Sequence, residues 1–214
     1  MITIIDYGYG NIFSIVSAFK KIGHICTVTD KEEEISQATI LVLPGVGSFN
    51  QAMLALKRKK LEKIIIDLVN KGKNIIGICL GYQMLFDSSK EFGEHQGLGL
   101  IKGEVISLQN LSSKYTKIPN VGWRPLLLNK QNKKIDEIYN NKMMYFVHSF
   151  VPVAKNKKQI SSFIKFNEYK IDTSVHYKNI VGFQFHPEKS GSVGLNLLKN
   201  TVEYFYKETN SINY

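Results

Sequence analysis

A thiol, an imidazole and a carboxylate are the parts of a nucleophilic triad, and this chain offers each in a suitable setting. Cys79 lies within Gly77-Ile78-Cys79-Leu80-Gly81, with a glycine two residues before it and another two after. That spacing mirrors the G-x-S-x-G turn of exposed serine nucleophiles, with sulfur replacing oxygen. At a sharp strand-to-helix turn the central residue takes a strained backbone geometry, and side chains at the flanking positions would collide. The turn also sets Cys79 near a helix N-terminus, whose free N–H groups favour a thiolate. A free thiol has a pKa of roughly 8.5, so this help matters near neutrality. The N–H of Leu80 is placed to hold an oxyanion. The ordinary reading of the same five residues is a small buried cysteine between packing glycines.

The imidazole and the carboxylate come from His186-Pro187-Glu188. Proline fixes its own φ and pushes His186 toward extended geometry. In an extended chain His186 and Glu188, two apart, point to the same side. The carboxylate can then orient the imidazole and stabilise its cation. On its own this tripeptide reads equally well as a strand end carrying one histidine and one glutamate.

These groups stand far apart in the chain, so the fold must join them. Asn74–Ile78 is a short apolar run and reads as a buried strand, and Val181–Phe185 alternates at a strand's period. Further strands are expected to begin at Met1, Ile25 and Ile40. Residues 11–22, 49–56 and 61–71 have helical spacing. The alternation predicts an α/β fold of three layers, a mostly parallel sheet with helices on both faces. Val105–Leu108, Met144–Val147, Ile160–Ile164 and Val181–Phe185 suggest a smaller antiparallel portion, and residues 196–206 a closing helix. Residues 93–103 and 131–134 read as loops, and the tail 209–214 as frayed. With no repeat or long linker, residues 1–214 are expected to form a single domain. Ligands bind beyond the carboxyl ends of strands in such sheets, and Pro44–Gly47, Cys79 and His186 all follow strand candidates.

Further blocks narrow the reading. Leu43-Pro44-Gly45-Val46-Gly47-Ser48-Phe49, Gly77 to Gln83, and Gly182 to Ser190 resemble the motifs of the class I glutamine amidotransferases. Ile5 to Ile12, Pro119 to Trp123 and Tyr145 to Phe150 are similar to the branch formed by glutaminase subunits of imidazole glycerol phosphate synthases. The resemblance runs nearly end to end with the blocks in the family's order. It implies an enzyme in which Cys79 attacks the side-chain amide of L-glutamine, His186 moves the proton, and Glu188 holds His186. It also implies that Gln83 and Glu91 contact the substrate, and that Gly45, Val46 and Gly47 form a loop completing the oxyanion hole begun at Leu80. That loop's glycines permit a peptide flip at low steric cost, although a Pro-Gly turn after a strand is commonplace. His148 and Ser149 fall in a substrate-side block, where a histidine bonded to backbone is the competing reading. Gly10, Asn11, Trp123 and Lys189 match partner-facing positions, and the partner implied is a (β/α)₈-barrel cyclase subunit in a heterodimer. For Trp123, the only tryptophan, a packing anchor is the alternative.

The chain also departs from the family's usual residues: Asn120 replaces a histidine, Arg124 an asparagine and Phe150 a tyrosine, and Phe166 to Val175 matches poorly. The ammonia acceptor is therefore less firmly implied than glutamine hydrolysis. A paralogous glutaminase serving a surface-sugar amidating partner, a non-catalytic scaffold subunit and a stand-alone amidohydrolase or peptidase are the competing functions.

Composition excludes several classes. Hydrophobic content of 43% and charged content of 21% are ordinary for a globular protein. A formal charge of +10 invites a nucleic-acid reading, but Arg58 and Arg124 are the only arginines, and specific readers of nucleic acid lean on arginine geometry. The dense patch Lys57-Arg58-Lys59-Lys60 reads as a solvated helix start. No nucleic-acid partner is expected. No apolar run has transmembrane length, and Met1 to Asp6 reads as a first strand, so neither a membrane nor a leader is expected. Two cysteines suggest no disulfide framework, and a required thiolate favours a reducing, cytoplasmic setting. The five histidines show no tight ligand spacing, so no metal is expected, and no cofactor either. Gly8-Tyr9-Gly10 with Asp30 hints at dinucleotide binding, but Phe13 occupies the third glycine position and the fingerprint fails.

Overall fold

The computed structural model describes residues 1–111, 117–132, 134–135 and 137–211. The first half alternates as the spacing predicts: β1 (Ile2–Ile5), α1 (Ile12–Lys21), β2 (Cys26–Thr29), α2 (Glu32–Gln37), β3 (Ile40–Leu43), α3 (Phe49–Arg58), α4 (Leu61–Asn70), β4 (Asn74–Ile78) and α5 (Leu80–Met84). The second half is richer in strands: β5 (Phe86–Ser89), β6 (His95–Gln96), β7 (Ile101–Ser107), β8 (Asn120–Pro125), β9 (Leu127–Leu128), β10 (Met143–His148), β11 (Phe150–Ala154), β12 (Ile160–Phe166), β13 (Tyr169–Tyr177) and β14 (Ile180–Phe183), closed by α6 (Gly191–Ser211).

The main sheet runs β2-β1-β3-β4-β14-β13-β12-β9. The first five strands in that order are parallel, and the last three continue it antiparallel. β1, β3, β4 and β14 are buried along their whole length, as parallel strands covered on both faces must be. Alternate residues divide between two cores. Ile2, Ile4, Val42 and Ile76 pack with Ala18 and Phe19 of α1 and Leu198 and Val202 of α6. Ile5, Leu41, Leu43 and Ile75 pack with α2, α3 and α4 through Ile35, Met53 and Ile65. Beside this sheet stand a four-stranded one, β11-β7-β5-β6, and an antiparallel ribbon, β10-β8.

Several expectations need correction. Val181 opens an antiparallel piece on one side only: β14 pairs antiparallel with β13, Val181 opposite His176, but it also returns to the centre and pairs parallel with β4, Val181 opposite Ile76. Residues 93–103 are not wholly loop, since they hold β6 and the start of β7. β11 escapes notice because Pro152 argues against a strand, yet a sheet edge tolerates it. β13 is missed because Asp172, Thr173, Ser174 and His176 look like surface, whereas all four are buried; the Ser162 and Ser174 hydroxyls lie 2.5 Å apart across β12 and β13. The basic patch is the junction of α3 and α4 rather than a helix start, and Lys59 reaches Asp30 at 2.8 Å. Thr209 is helical and accepts a hydrogen bond from Asn74, so the chain is ordered further than expected, while residues 212–214 lie outside the described residues. Position 133 of the expected 131–134 loop also lies outside them.

Candidate active site

β3, β4 and β14 are adjacent and parallel, so the segments after Leu43, Ile78 and Phe183 emerge side by side at one edge. Cys79 stands directly between β4 and α5 with φ 55° and ψ −109°, the strained conformation expected of a nucleophile turn. Its N–H donates to Phe183 O at 2.7 Å, and its carbonyl accepts from Gln83 N at 3.1 Å, which fastens the turn from both sides. The flanking glycines are required by contact. A Cβ on Gly81 would sit 1.9 Å from Leu43 O, and one on Gly45 would sit 2.6 Å from Gly81 N. The backbone after β3 therefore rests directly on the backbone of the turn. Tyr7 secures the same loop by donating from Oη to Pro44 O at 2.6 Å.

His186 has extended geometry ahead of Pro187, as expected. Glu188 meets it by another route than the extended chain, because Pro187–Lys189 forms a 3-10 turn that brings Oε1 to within 2.7 Å of His186 Nδ1. Nδ1 must donate, since the carboxylate only accepts. The side chains of both residues are almost fully buried, 3% and 1% exposed. Burial alone pushes the imidazole pKa down. Its interactions with Cys79 and Glu188 outweigh that and push it up to about 10. Of the interactions that raise it, hydrogen bonding to Cys79 comes first and that to Glu188 second, with the charges of both groups adding to the rise.

Cys79 and His186 open onto one cavity of about 680 Å³, also lined by Val46, Gly47, Leu80, Gln83, Glu91, His148 and Ser149. Of the proposed substrate and oxyanion residues only Gly45 does not line it, being buried beneath the turn instead. Gly47 has φ 94°, a conformation that glycine adopts without cost. Glu91 Oε2 accepts from the N–H of Phe49 at 2.6 Å, tying it to the start of α3. Both amide hydrogens of Gln83 are engaged, donating to Phe150 O at 3.0 Å and Gln184 Oε1 at 3.1 Å. His148 proves to be bonded to backbone, with Nδ1 2.9 Å from Phe150 O, yet it also faces the cavity. Burial pushes its pKa down to about 4, with His186 adding to the fall against the opposing bond to Phe150.

The proposed partner-facing residues surround this edge. Asn11 caps α1 by accepting from Ser14 N, and Gly10 lies against Pro44. Trp123 is 49% exposed, edge-on to Tyr145 across the ribbon, and Lys189 is exposed on the 3-10 turn. α1 and β10 both pack against that turn.

Two positioning groups went unnoticed in the sequence. Ser190 Oγ donates to His186 O at 2.6 Å and accepts from Tyr145 N at 2.9 Å, joining the imidazole's turn to the ribbon. Gln184 lies fully buried with its amide nitrogen 4.0 Å from Cys79 Sγ. Its place in the Gly182–Ser190 block, two residues before His186, was the signal that could have suggested it. The departures Asn120 and Arg124 turn out to touch, Arg124 Nε donating to Asn120 Oδ1 at 3.1 Å.

A strained cysteine sharing a cavity with a buried imidazole–carboxylate pair can carry nucleophilic acyl transfer. Residues 3–204 match the model of the glutamine amidotransferase class-I family, and the chain belongs to that family. It is 41% identical over 198 residues to imidazole glycerol phosphate synthase subunit HisH of Aquifex aeolicus, covering 92% of this chain and 93% of that one. It is equally identical to the subunit of that name from Lactococcus lactis subsp. lactis, over 94% of this chain and 98% of the relative. The structure of PurLQS from Thermotoga maritima shares the fold with a TM-score of 0.72 at 18% identity, over 95% of this chain and 97% of that chain. Among the described residues no helix is long and apolar enough to cross a membrane, and no cluster of three or more His, Cys, Asp or Glu could hold a metal ion.

Proposed function

We propose that this chain hydrolyses L-glutamine through Cys79, His186 and Glu188 and passes the ammonia to a synthase partner that makes imidazole glycerol phosphate in histidine biosynthesis. The Cys79 thiol gives its proton to His186, and the sulfur attacks the side-chain carbonyl carbon of glutamine. The oxyanion that forms is held by the Leu80 N–H and a peptide N–H from the Gly45–Gly47 loop. His186, charged and oriented by Glu188, gives its proton to the departing ammonia and leaves a glutamyl thioester. It then draws a proton from water, whose oxygen attacks the thioester, and returns that proton to the departing sulfur, so that glutamate and the Cys79 thiol are released. No cofactor or metal enters this cycle. Gln83, Glu91, His148 and Ser149 would line the bound glutamine.

The single observation that carries the reading is His186, held 2.7 Å from Glu188, opening onto the same cavity as a cysteine at positive φ. The partner reading draws on the two HisH relatives and on the apolar ribbon beside the cavity, where Val121, Trp123 and Val147 are all exposed. With Gly10, Asn11 and Lys189, Trp123 would receive a (β/α)₈-barrel cyclase, giving a heterodimer in the cytoplasm with residues 1–214 as one domain. Cys79→Ala tests the assignment. Glutamine-dependent synthesis by the complex should fall by about 10³-fold or more, while synthesis fed with free ammonia should continue. Retained hydrolysis of glutamine would show that the nucleophile is another group.

A further inference from the structure

Behind the cavity wall runs a chain of hydrogen bonds whose donors and acceptors leave only one arrangement. Arg124 Nε can only donate, so the Asn120 atom facing it at 3.1 Å is the carbonyl oxygen. The amide nitrogen of Asn120 must then face His148 Nε2, 2.9 Å away. An amide nitrogen only donates, so Nε2 must accept and carries no proton. On the other side of the ring, Phe150 O accepts at 2.9 Å, so the proton is on Nδ1. Asn120 is 1% exposed and His148 6%, so water cannot readily replace either contact. Arg124 is itself steadied by the Phe166 ring, 5.8 Å from its guanidinium carbon.

We infer that Arg124 and Asn120 are positioning residues that lock His148 as the neutral Nδ1–H tautomer, so that His186 is the only imidazolium in the glutamine cavity. The inference rests on the proposed glutaminase reading for its purpose, but not for its geometry. A protonated His148 would turn an Nε2–H against the Asn120 amide hydrogens, with the amide prevented from flipping by Arg124. The charged and titratable groups around His148 are Cys79 at the turn, His186 and Glu188 after β14, Glu91 across the cavity, and Arg124 behind Asn120. His186 already disfavours a charge on His148, in keeping with the low pKa of about 4. By the same repulsion a charged His148 would drive the proton from His186, the proton that departing ammonia requires. The Phe150 carbonyl that fixes His148 also accepts from Gln83, and Gln83 reaches Gln184 beside the Cys79 sulfur. The lock therefore joins the exposed ribbon to the nucleophile through a continuous set of polar contacts.

Asn120→Asp tests the inference with nearly unchanged shape. The carboxylate would accept from Arg124 and from a protonated His148 alike. Histidine titration of the full chain by NMR should then find the His148 pKa raised by about 2 or more, and the His186 pKa lowered. The kcat of the complex with its partner should acquire a new acid limb at the raised His148 value. Arg124→Leu provides a second reading should the aspartate variant fold poorly. It frees the Asn120 amide to flip and should strengthen proton binding at His148 by about tenfold. A His148 whose pKa in the folded variants is unchanged from that of the unsubstituted chain would overturn the inference. The titration needs no glutamine turnover, so it stands whether or not Cys79→Ala upholds the glutaminase reading.

Discussion

The floor of the cavity and its wall are held by different forces. The floor, at the ends of β3, β4 and β14, is close-packed: Gly45, Gly77 and Gly81 lie against backbone and Gly182 against the Tyr82 ring, and each lacks room for a Cβ. The wall, made by the β8–β10 ribbon and the strand start at Phe150, is held by side-chain hydrogen bonds through Asn120, His148, Gln83 and Ser190. Its outer face is apolar and exposed at Val121, Trp123 and Val147. Close packing permits one arrangement, whereas hydrogen bonds and an uncovered apolar face allow adjustment when something docks. The floor thus fixes Cys79 in place, and the wall is the side of the cavity free to adjust, where the proposed partner would act.

The sharpest way to break this comparison is to give the floor one methyl group. Gly81→Ala would drive a Cβ to 1.9 Å from Leu43 O, a backbone atom that cannot move aside alone. Chemical denaturation should show a loss of about 3 kcal/mol or more, the upper range for overpacking. A loss below about 1 kcal/mol would mean that the floor yields as readily as the wall.

Trp123→Ala sharpens the other side. Its ring is half-exposed and touches Tyr145 at a centroid distance of 6.0 Å, so folding stability should fall by about 1 kcal/mol or less. Association with the proposed cyclase partner should weaken by about 2 kcal/mol, roughly 30-fold, as for a central aromatic anchor. Calorimetric titration of the two subunits measures this. Unchanged affinity would move the docking surface away from the ribbon.

The floor was also the more legible region in the sequence. Ile40–Leu43, Asn74–Ile78 and Ile180–Phe183 are short β-branched runs, and burial on both faces leaves no polar residue to blur them apart from Asn74. The paired glycines around Cys79 report a steric demand that a sequence states openly. The wall and the antiparallel end of the main sheet were harder to read because their strands violate simple patterns. β13 buries hydroxyls that satisfy one another only across a partner strand, and β11 contains a proline that only an edge position permits. The tie between Asn120, Arg124 and His148 depends on cross-strand register, His148 opposite Asn120, which no local pattern reveals. The approach of Glu188 to His186 was anticipated, but through an extended segment rather than the 3-10 turn that makes it.

The central claim is that Cys79, and not merely some thiol, is the nucleophile toward glutamine. The chain carries its own control. Cys26 is half-buried at the edge strand β2, and burial pushes its pKa up to about 11, which leaves it a poor nucleophile near neutrality. The most direct measurement is therefore peptide mass mapping after incubation of the partner-saturated complex with an electrophilic glutamine analogue at neutral pH. One equivalent of label should appear on Cys79, none on Cys26, and glutamine turnover should vanish in proportion. An unlabelled Cys79, or glutamine hydrolysis that survives its complete modification, would contradict the account.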